Sequence, residues 1–311
     1  MKKILITGGA GYIGSKLVTK LVDFNFEVTV LDSLKFSSKS LNHLFQKKNF
    51  FFIKGDVRNK KLMKELVKKN EYIIPLAALV GAPLCEKRKS EAVSVNLNSI
   101  KQLMKLVKPK NKIIYLTTNS GYGVGKQSKY CDETSPLNPI SLYGRTKVDA
   151  EKTVMAFKNT VAFRLATVFG YSYRMRTDLL VNNFVFKSVN ERKLTLFEPH
   201  FRRNYIHIND VVDGIIFSIN NFSKLKSNIY NLGLSSANLT KYKLAQKIKE
   251  QVKTLKIKIV KNRKDPDQRD YYVSNKKIER KGFKAKTKIE TGIKELINIF
   301  SYSDEKIINN Y

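Results

Sequence analysis

Tyr143 and Lys147 stand four residues apart in Ser141-Leu142-Tyr143-Gly144-Arg145-Thr146-Lys147. The segment reads as the start of a helix running through Phe157, so the two side chains share one helical face. A phenol with a pKa of about 10 is a poor base at neutral pH. A neighbouring ammonium favours the phenolate and lowers that pKa. Such a pair can take a proton from a substrate hydroxyl, and Thr118, just beyond the apolar run Lys112 to Leu116, can hydrogen-bond the same group. Alone, Tyr-x-x-x-Lys also describes a solvated helix face, so the pair gains meaning only beside a bound co-reactant.

A second stretch points to one. Thr7-Gly8-Gly9-Ala10-Gly11-Tyr12-Ile13-Gly14 follows the apolar run Ile4-Leu5-Ile6 and precedes Leu17, Val18, Leu21 and Val22 at helical spacing. Gly8 permits a tight turn, Gly11 lets the backbone approach a pyrophosphate, and Gly14 lets helix pack on strand. Tyr12 and Ile13 open the helix, whose free N–H groups and dipole favour the phosphates. A strand from Glu27 to Leu31 ends at Asp32, placed to bind the adenosine ribose hydroxyls. A carboxylate there disfavours a 2′-phosphate, although Lys35 nearby leaves one open. An ordinary glycine turn accounts for the glycines, but not for strand, helix and acid together. The positive ring of a bound nicotinamide would also favour the phenolate of Tyr143.

The remaining elements position these groups. Phe50 to Ile53 is a third strand, ending at Gly55-Asp56-Val57-Arg58. Asp56 can accept from an adenine amino group or cap the helix from Asn59 onward. Glu71 to Leu76 is a fourth strand, followed by Ala77 and Ala78, small enough to let a cofactor come close. Ser94 to Val107 reads as one helix, with Leu97, Ile100, Leu103, Met104 and Val107 on one face. Asn96 near its start contacts the strand ends or serves as a cap. The fifth strand delivers Thr117-Thr118-Asn119-Ser120-Gly121-Tyr122-Gly123 to the end of a parallel sheet where ligands bind. The expected fold is α/β, a doubly wound parallel sheet in residues 1–170 with 206–232. A smaller lobe takes residues 171–205 with 233–311.

The chain has 311 residues and 42% hydrophobic content, which fits a globular protein with a substantial core. No apolar run approaches a membrane span. The opening Met1-Lys2-Lys3-Ile4-Leu5-Ile6 stops at Thr-Gly-Gly, too short for a signal segment, so a cytoplasmic protein is expected. Cys85 and Cys131 form neither a disulfide framework nor a metal-ligand spacing, and no metal is expected. The net charge is +33, and of 59 basic residues only 12 are arginine. The lysines are scattered, whereas nucleic-acid sites cluster basic residues and add stacking aromatics. Nucleic acid is therefore not the expected partner, and a binding protein on a borrowed enzyme fold rests on the charge alone. The field should draw anionic substrates inward.

Taken together, these motifs resemble the extended short-chain dehydrogenase/reductases, specifically the NAD-dependent nucleotide-sugar epimerases and dehydratases of the UDP-glucose 4-epimerase type. The resemblance rests on Thr7 to Gly14, Asp32, Gly55 to Arg58, Leu76 to Ala78, Asn96, Thr117 to Gly123 and Tyr143 to Lys147. It continues in Arg164 to Gly170, Arg203 to Asp210, Tyr230 to Gly233, Arg269 to Tyr271 and Gly282-Phe283. It implies a Rossmann fold, NAD as cofactor and a nucleotide-sugar substrate. Tyr143 would be the base, with Lys147 its partner and a ribose ligand, and Thr118 the third catalytic member. Asn119 and Ser120 would face the sugar. Asn183 would contact a phosphate, Arg203 would grip the diphosphate, and Arg269 would close over the nucleotide unless the neighbouring Asp265, Asp267 and Asp270 hold it. Homodimers through the helices at Asn96 and Tyr143 are common in the family. His207, in the alternation Tyr205, His207, Asn209, reads as structural.

Three reactions share this scaffold: epimerisation, dehydration and decarboxylation, with keto-sugar reduction a fourth. Family dehydratases place Asp-Glu directly after the strand-end hydroxyl residue, and decarboxylases a Glu. Here Asn119 and Ser120 follow Thr118, so elimination lacks its usual proton carrier, and C4 epimerisation is the expectation. Cys85 could supply another acid-base group, but an inert thiol is the simpler reading. Thr167 stands where family members often carry Asn, and Leu79-Val80-Gly81-Ala82-Pro83 has no assigned role.

Overall fold

The structure is a computed structural model, and it describes residues 1–36, 39–125, 129–260 and 269–302. The first strand, β1 (Lys3–Thr7), buries Ile4 and Ile6 in one core and Leu5 in another. A strand buried on both faces is what a parallel sheet covered by helices requires. From β1 the chain enters α1 (Tyr12–Asp23), β2 (Glu27–Asp32), β3 (Phe50–Lys54), α2 (Lys60–Lys69) and β4 (Tyr72–Pro75). Short helices α3 (Ala82–Lys87), α4 (Lys89–Val93) and α5 (Ser99–Met104) precede β5 (Lys112–Thr118), α6 (Leu142–Met155) and β6 (Thr160–Leu165).

Next come β7 (Thr167–Phe169), α7 (Leu180–Asn190), β8 (Lys193–Phe197), β9 (Arg202–His207), α8 (Ile208–Asn220), α9 (Phe222–Leu225) and β10 (Asn228–Leu232). The last elements are β11 (Asn238–Thr240), α10 (Lys241–Gln251), β12 (Lys256–Val260), α11 (Lys276–Glu279) and α12 (Ile289–Tyr302).

Seven strands form one parallel sheet in the order β10-β6-β5-β4-β1-β2-β3. The order reverses between β1 and β4, and a crevice opens at the strand C-termini at that point. The doubly wound sheet expected from the sequence is therefore present. Two smaller sheets lie apart from it, β11-β9-β7 and the pair β12-β8. A separate core joins α7, β8, α10 and α12 through Val185, Leu194, Ile248 and Leu296. Among the described residues no helix is long and apolar enough to cross a membrane.

Three local readings differ from the sequence expectation. The helix expected over 94–107 begins at Lys89, is interrupted by a wide turn at Ser94–Asn98 and ends at Met104. That turn lets Asn96 face inward. Asn59, not Asp56, caps α2, accepting from the Leu62 N–H at 3.1 Å. His207 ends β9 and caps α8, so the strand alternation does not reach Asn209.

Candidate active site

The crevice is a cavity of about 810 Å³ running from Asp32 and Phe36 at one end to Arg269 and Tyr271 at the other. Its first end is built by the glycine turn. Gly8 has φ +73°, and a Cβ there would lie 2.6 Å from the Ala77 backbone nitrogen, so only glycine lets the turn after β1 close on the turn after β4. A Cβ on Gly11 would meet only the Gly8 carbonyl, at 3.1 Å. The cap of α1 has no side-chain acceptor, and its first turn has no acid. The helix thus presents free N–H groups to the cavity, a fit for an anionic ligand. Asp32 accepts from Ala10 N at 2.9 Å and Leu34 N at 2.8 Å, and burial raises its pKa.

Tyr12, Ile13, Asp56, Val57, Ala77 and Ala78 also line this end. Asp56 is held bidentately by Arg58, at 2.9 and 2.6 Å, which draws its pKa down. Lys35 pairs with Glu91. These residues fit a dinucleotide: a phosphate turn, then an acid at the end of β2. Bound there, NAD supplies a hydride acceptor and donor.

At the centre, Thr118 sits at the end of β5 and Tyr143 in the first turn of α6. Ser141 caps that helix by accepting from Gly144 N at 3.1 Å. The Thr118 hydroxyl faces the same cavity as Tyr143. It also lies 2.9 Å from Ser120 Oγ, to which Arg269 Nη1 donates. Two hydroxyls and a guanidinium thus form one continuous chain on the wall that also carries the phenol. Burial, with a smaller contribution from Cys85, pushes the Tyr143 phenol up to about 12, while Arg269, Arg176 and Thr118 pull it down.

Lys147, one helical turn on, also lines the cavity. Lys147 Nζ lies 4.3 Å from the centre of the Tyr115 ring. Burial depresses its pKa to about 7 against the opposing pull of Glu151. Arg269 and Arg176 are the cations that draw the phenol down. Burial also raises the Cys85 thiol to about 11, which keeps it protonated and passive.

A buried ammonium has a consequence for stability. Lys147→Met should raise the melting temperature of the cofactor-free protein near about pH 6 by on the order of a few °C. The advantage should shrink as pH climbs from about 7 toward 10.5. In that window the unfolded chain holds the proton and the folded chain has lost it, so wild-type stability rises with pH. Melting curves at several pH values check this; an advantage that grows with pH contradicts it.

The far end is cationic. Arg203, only 2% exposed, lines the cavity with its guanidinium 5.8 Å from the Tyr271 ring centre. Lys241 Nζ donates to the Phe197 carbonyl and lines the same wall. Asp270 is paired bidentately with Arg202, at 2.8 and 3.0 Å, rather than with Arg269. Asp265 and Asp267 lie outside the described residues.

Three residues expected at the site do not line it. Asn96 is a positioning residue: its amide accepts from Leu79 N at 2.8 Å and donates to Leu79 O at 2.9 Å, fixing the loop after β4. That loop, Leu79 to Pro83, forms part of the cavity wall. Asn119 is 1% exposed, and neither its Oδ1 nor its Nδ2 has a hydrogen-bond partner among the described residues. Asn183 does not line the cavity, and neither does its neighbour Asn182. Asn182 is the residue turned inward, accepting from Gly170 N at 3.0 Å and donating to Tyr12 Oη at 3.2 Å and Arg176 O at 2.9 Å. One residue along a helix rotates a side chain by about 100°.

The loop between β7 and α7 adds residues the motifs did not reveal: Arg174, Arg176 and Asp178. Arg176 and Asp178 are paired through two hydrogen bonds, Nε to Oδ1 at 2.9 Å and Nη2 to Oδ2. His207 is structural, with Nε2 2.6 Å from Glu295 Oε2 and Nδ1 accepting from Asn209 N at 3.3 Å.

Comparison with known proteins agrees with this fold. The chain is similar to dTDP-D-glucose 4,6-dehydratase of Mus musculus, 29% identical over 319 residues that cover 95% of this chain and 88% of that one. It is also similar to a putative UDP-glucose 4-epimerase of Methanocaldococcus jannaschii, 26% identical over 308 residues, covering 95% and 97%. The crystal structure of dTDP-glucose 4,6-dehydratase from Bacillus anthracis in complex with NAD shares the fold, with a TM-score of 0.85 at 22% identity over 98% of each chain. The model of the NAD dependent epimerase/dehydratase family matches residues 4–233. The chain is thus an enzyme of the NAD-dependent epimerase/dehydratase family, and NAD is its cofactor.

Proposed function

We propose that the enzyme epimerises a nucleotide-diphosphate sugar at C4 through a transient 4-keto sugar. The supporting observation is the pair that follows Thr118. Asn119 is buried away from the cavity, and Ser120 is a hydroxyl held by Arg269. Neither carries the proton that loss of water or carbon dioxide requires. Tyr143 takes the C4 hydroxyl proton while Thr118 holds that hydroxyl in place. Arg176 and Arg269 favour the phenolate in that step. Arg203 and Lys241 receive the diphosphate, a role suited to a bidentate guanidinium and a point charge. The keto sugar turns over, is reduced on its other face and recovers its proton from Tyr143. We assign the cofactor to residues 1–170 with 206–232 and the sugar nucleotide mainly to 171–205 with 233–311. A homodimer formed through the helices of Asn96 and Tyr143 belongs to the same reading, and a monomeric mass in solution counts against it.

Dehydration is the second reading. It is favoured by Asp178, a carboxylate on the cavity wall beside Arg176, and by the activity named for the mouse relative. Incubating the protein and catalytic NAD with a panel of nucleotide sugars separates the two. Unchanged mass with an altered C4 proton coupling is the expected result. Loss of water would move the assignment to Asp178-assisted elimination.

A further inference from the structure

Arg174 belongs to neither the glycine turn nor the catalytic chain, yet the fold carries it to the cofactor's end of the cavity. Three contacts hold its loop to the first turn of α1. Tyr12 Oη donates to Gly170 O at 2.6 Å, Ser172 Oγ donates to Tyr12 O at 2.6 Å, and Ser172 Oγ lies 2.9 Å from Ser15 Oγ. Two residues on, Arg174 is 4% exposed and lines the cavity, its guanidinium 5.7 Å from the ring centre of Phe36. Phe36 stands just past Asp32, on the adenosine side.

The guanidinium is under-partnered for so buried a charge. Among the described residues its one hydrogen-bond acceptor is the Met175 carbonyl, at 3.1 Å, and no carboxylate lies within ion-pair distance. Asp178, the acid of the same loop, is engaged by Arg176. Arg176 itself adds a like charge nearby. A buried guanidinium with most of its donors unused calls for an anion in the cavity. The first turn of α1 makes the same demand: it has no acid and no side-chain cap.

We propose that Arg174 is a ligand of the cofactor's pyrophosphate. It meets from the second half of the chain the diphosphate that the glycine turn meets from the first, and Phe36 seats its planar face. The cofactor then bridges the N-terminal turn and the loop that also carries Arg176 and Asp178. The inference rests on the glycine turn being the NAD site and holds whether the sugar is epimerised or dehydrated.

The test is equilibrium binding to cofactor-free, full-length protein, with ADP-ribose and UDP as separate probes and no turnover involved. Arg174→Met keeps the length and the packing on Phe36 but removes the charge. It should weaken ADP-ribose binding by about ten- to a hundredfold and leave UDP binding within about twofold, a difference too small to signal a lost ion pair. Arg174→Lys should recover part of the loss, because the charge returns without the fork. ADP-ribose binding unchanged in Arg174→Met overturns the proposal. So does weakened UDP binding with ADP-ribose unaffected, which would assign Arg174 to the substrate's diphosphate. Equal weakening of both probes in Met and Lys variants alike also overturns it, as the mark of a merely structural residue.

Discussion

Tyr143→Phe should lower kcat by roughly 10²- to 10⁴-fold, the range expected for a lost general acid-base, while changing NAD affinity little. The ring would keep its place against Leu79, Leu84 and Cys85, so the variant should fold. Its missing hydroxyl leaves Thr118 paired with Ser120 at 2.9 Å, so no buried group is stranded. The pH profile gives a second readout. With burial holding the phenol up at about 12, the phenolate fraction in the free enzyme grows about tenfold per pH unit below that value. Wild-type kcat/KM should therefore climb with pH wherever proton removal limits the rate. The residual rate of Tyr143→Phe should not follow that climb. Arg176 and Arg269 bear on the same quantity: removing either guanidinium should move the rise to higher pH, since each draws the phenol downward. Steady-state kinetics across pH, with NAD titrated separately, would falsify this role for Tyr143 if the variant kept more than about a tenth of wild-type kcat.

The catalytic chain and the glycine turn were legible because each is local. Tyr143 and Lys147 lie one helical turn apart, and Gly8 to Gly14 lies between a buried strand and an amphipathic helix. Periodicity marks such elements without knowledge of the rest. The electrostatics were less legible. Sequence spacing puts Lys147 beside Tyr143, but the side chain reaches instead to the Tyr115 ring from β5, a neighbour set by the packing of α6 on the sheet. Arg174, Arg176 and Asp178 come from an irregular loop, where no period exists to read.

One compositional signal was present. Only 12 of the 59 basic residues are arginine, yet Arg58, Arg174, Arg176, Arg203 and Arg269 all line the cavity, against three lysines. In a chain that covers its surface with lysine, an arginine marks a position needing a planar, fixed fork. Asn96 shows the opposite limit. Ile100 and Leu103 are buried on α5 as the spacing expects, but Val107 lies past the helix end at Met104, and nothing in a helical period announces the wide turn that frees the Asn96 amide for Leu79.

Glu151→Ala should destabilise the fold by about 3–5 kcal/mol, the cost of leaving a buried charge without its partner. Arg164 and Glu151 are 5% and 3% exposed and meet through Nε at 3.1 Å and Nη2 at 2.7 Å. The pair ties α6 to β6. Arg164 Nη1 then continues to Tyr122 Oη at 3.1 Å and the Glu133 carbonyl at 3.2 Å, and Tyr122 Oη donates to Asn231 Oδ1 on β10 at 2.7 Å. Denaturant unfolding measures the loss. A change under about 1 kcal/mol would mean that Arg164 finds another acceptor and that the network is redundant.

Replacing both partners with apolar residues, Glu151→Leu with Arg164→Met, separates stability from function. The double variant should recover most of the stability, because both members of the buried Arg164–Glu151 pair leave together. It should not recover the wild-type behaviour of Lys147. Glu151 is the charge that opposes burial and holds Lys147 as high as about 7. Without it the ammonium loses its proton at lower pH, since only the burial effect remains. On the reading of Lys147 as a ribose ligand, NAD affinity should then begin to fall at a lower pH than in the wild type. A double variant that is stable and keeps the wild-type pH dependence would confine Glu151 to holding α6 against the sheet. A stable double variant with the shifted dependence makes the same carboxylate the support of both the fold and the charge beside the cofactor.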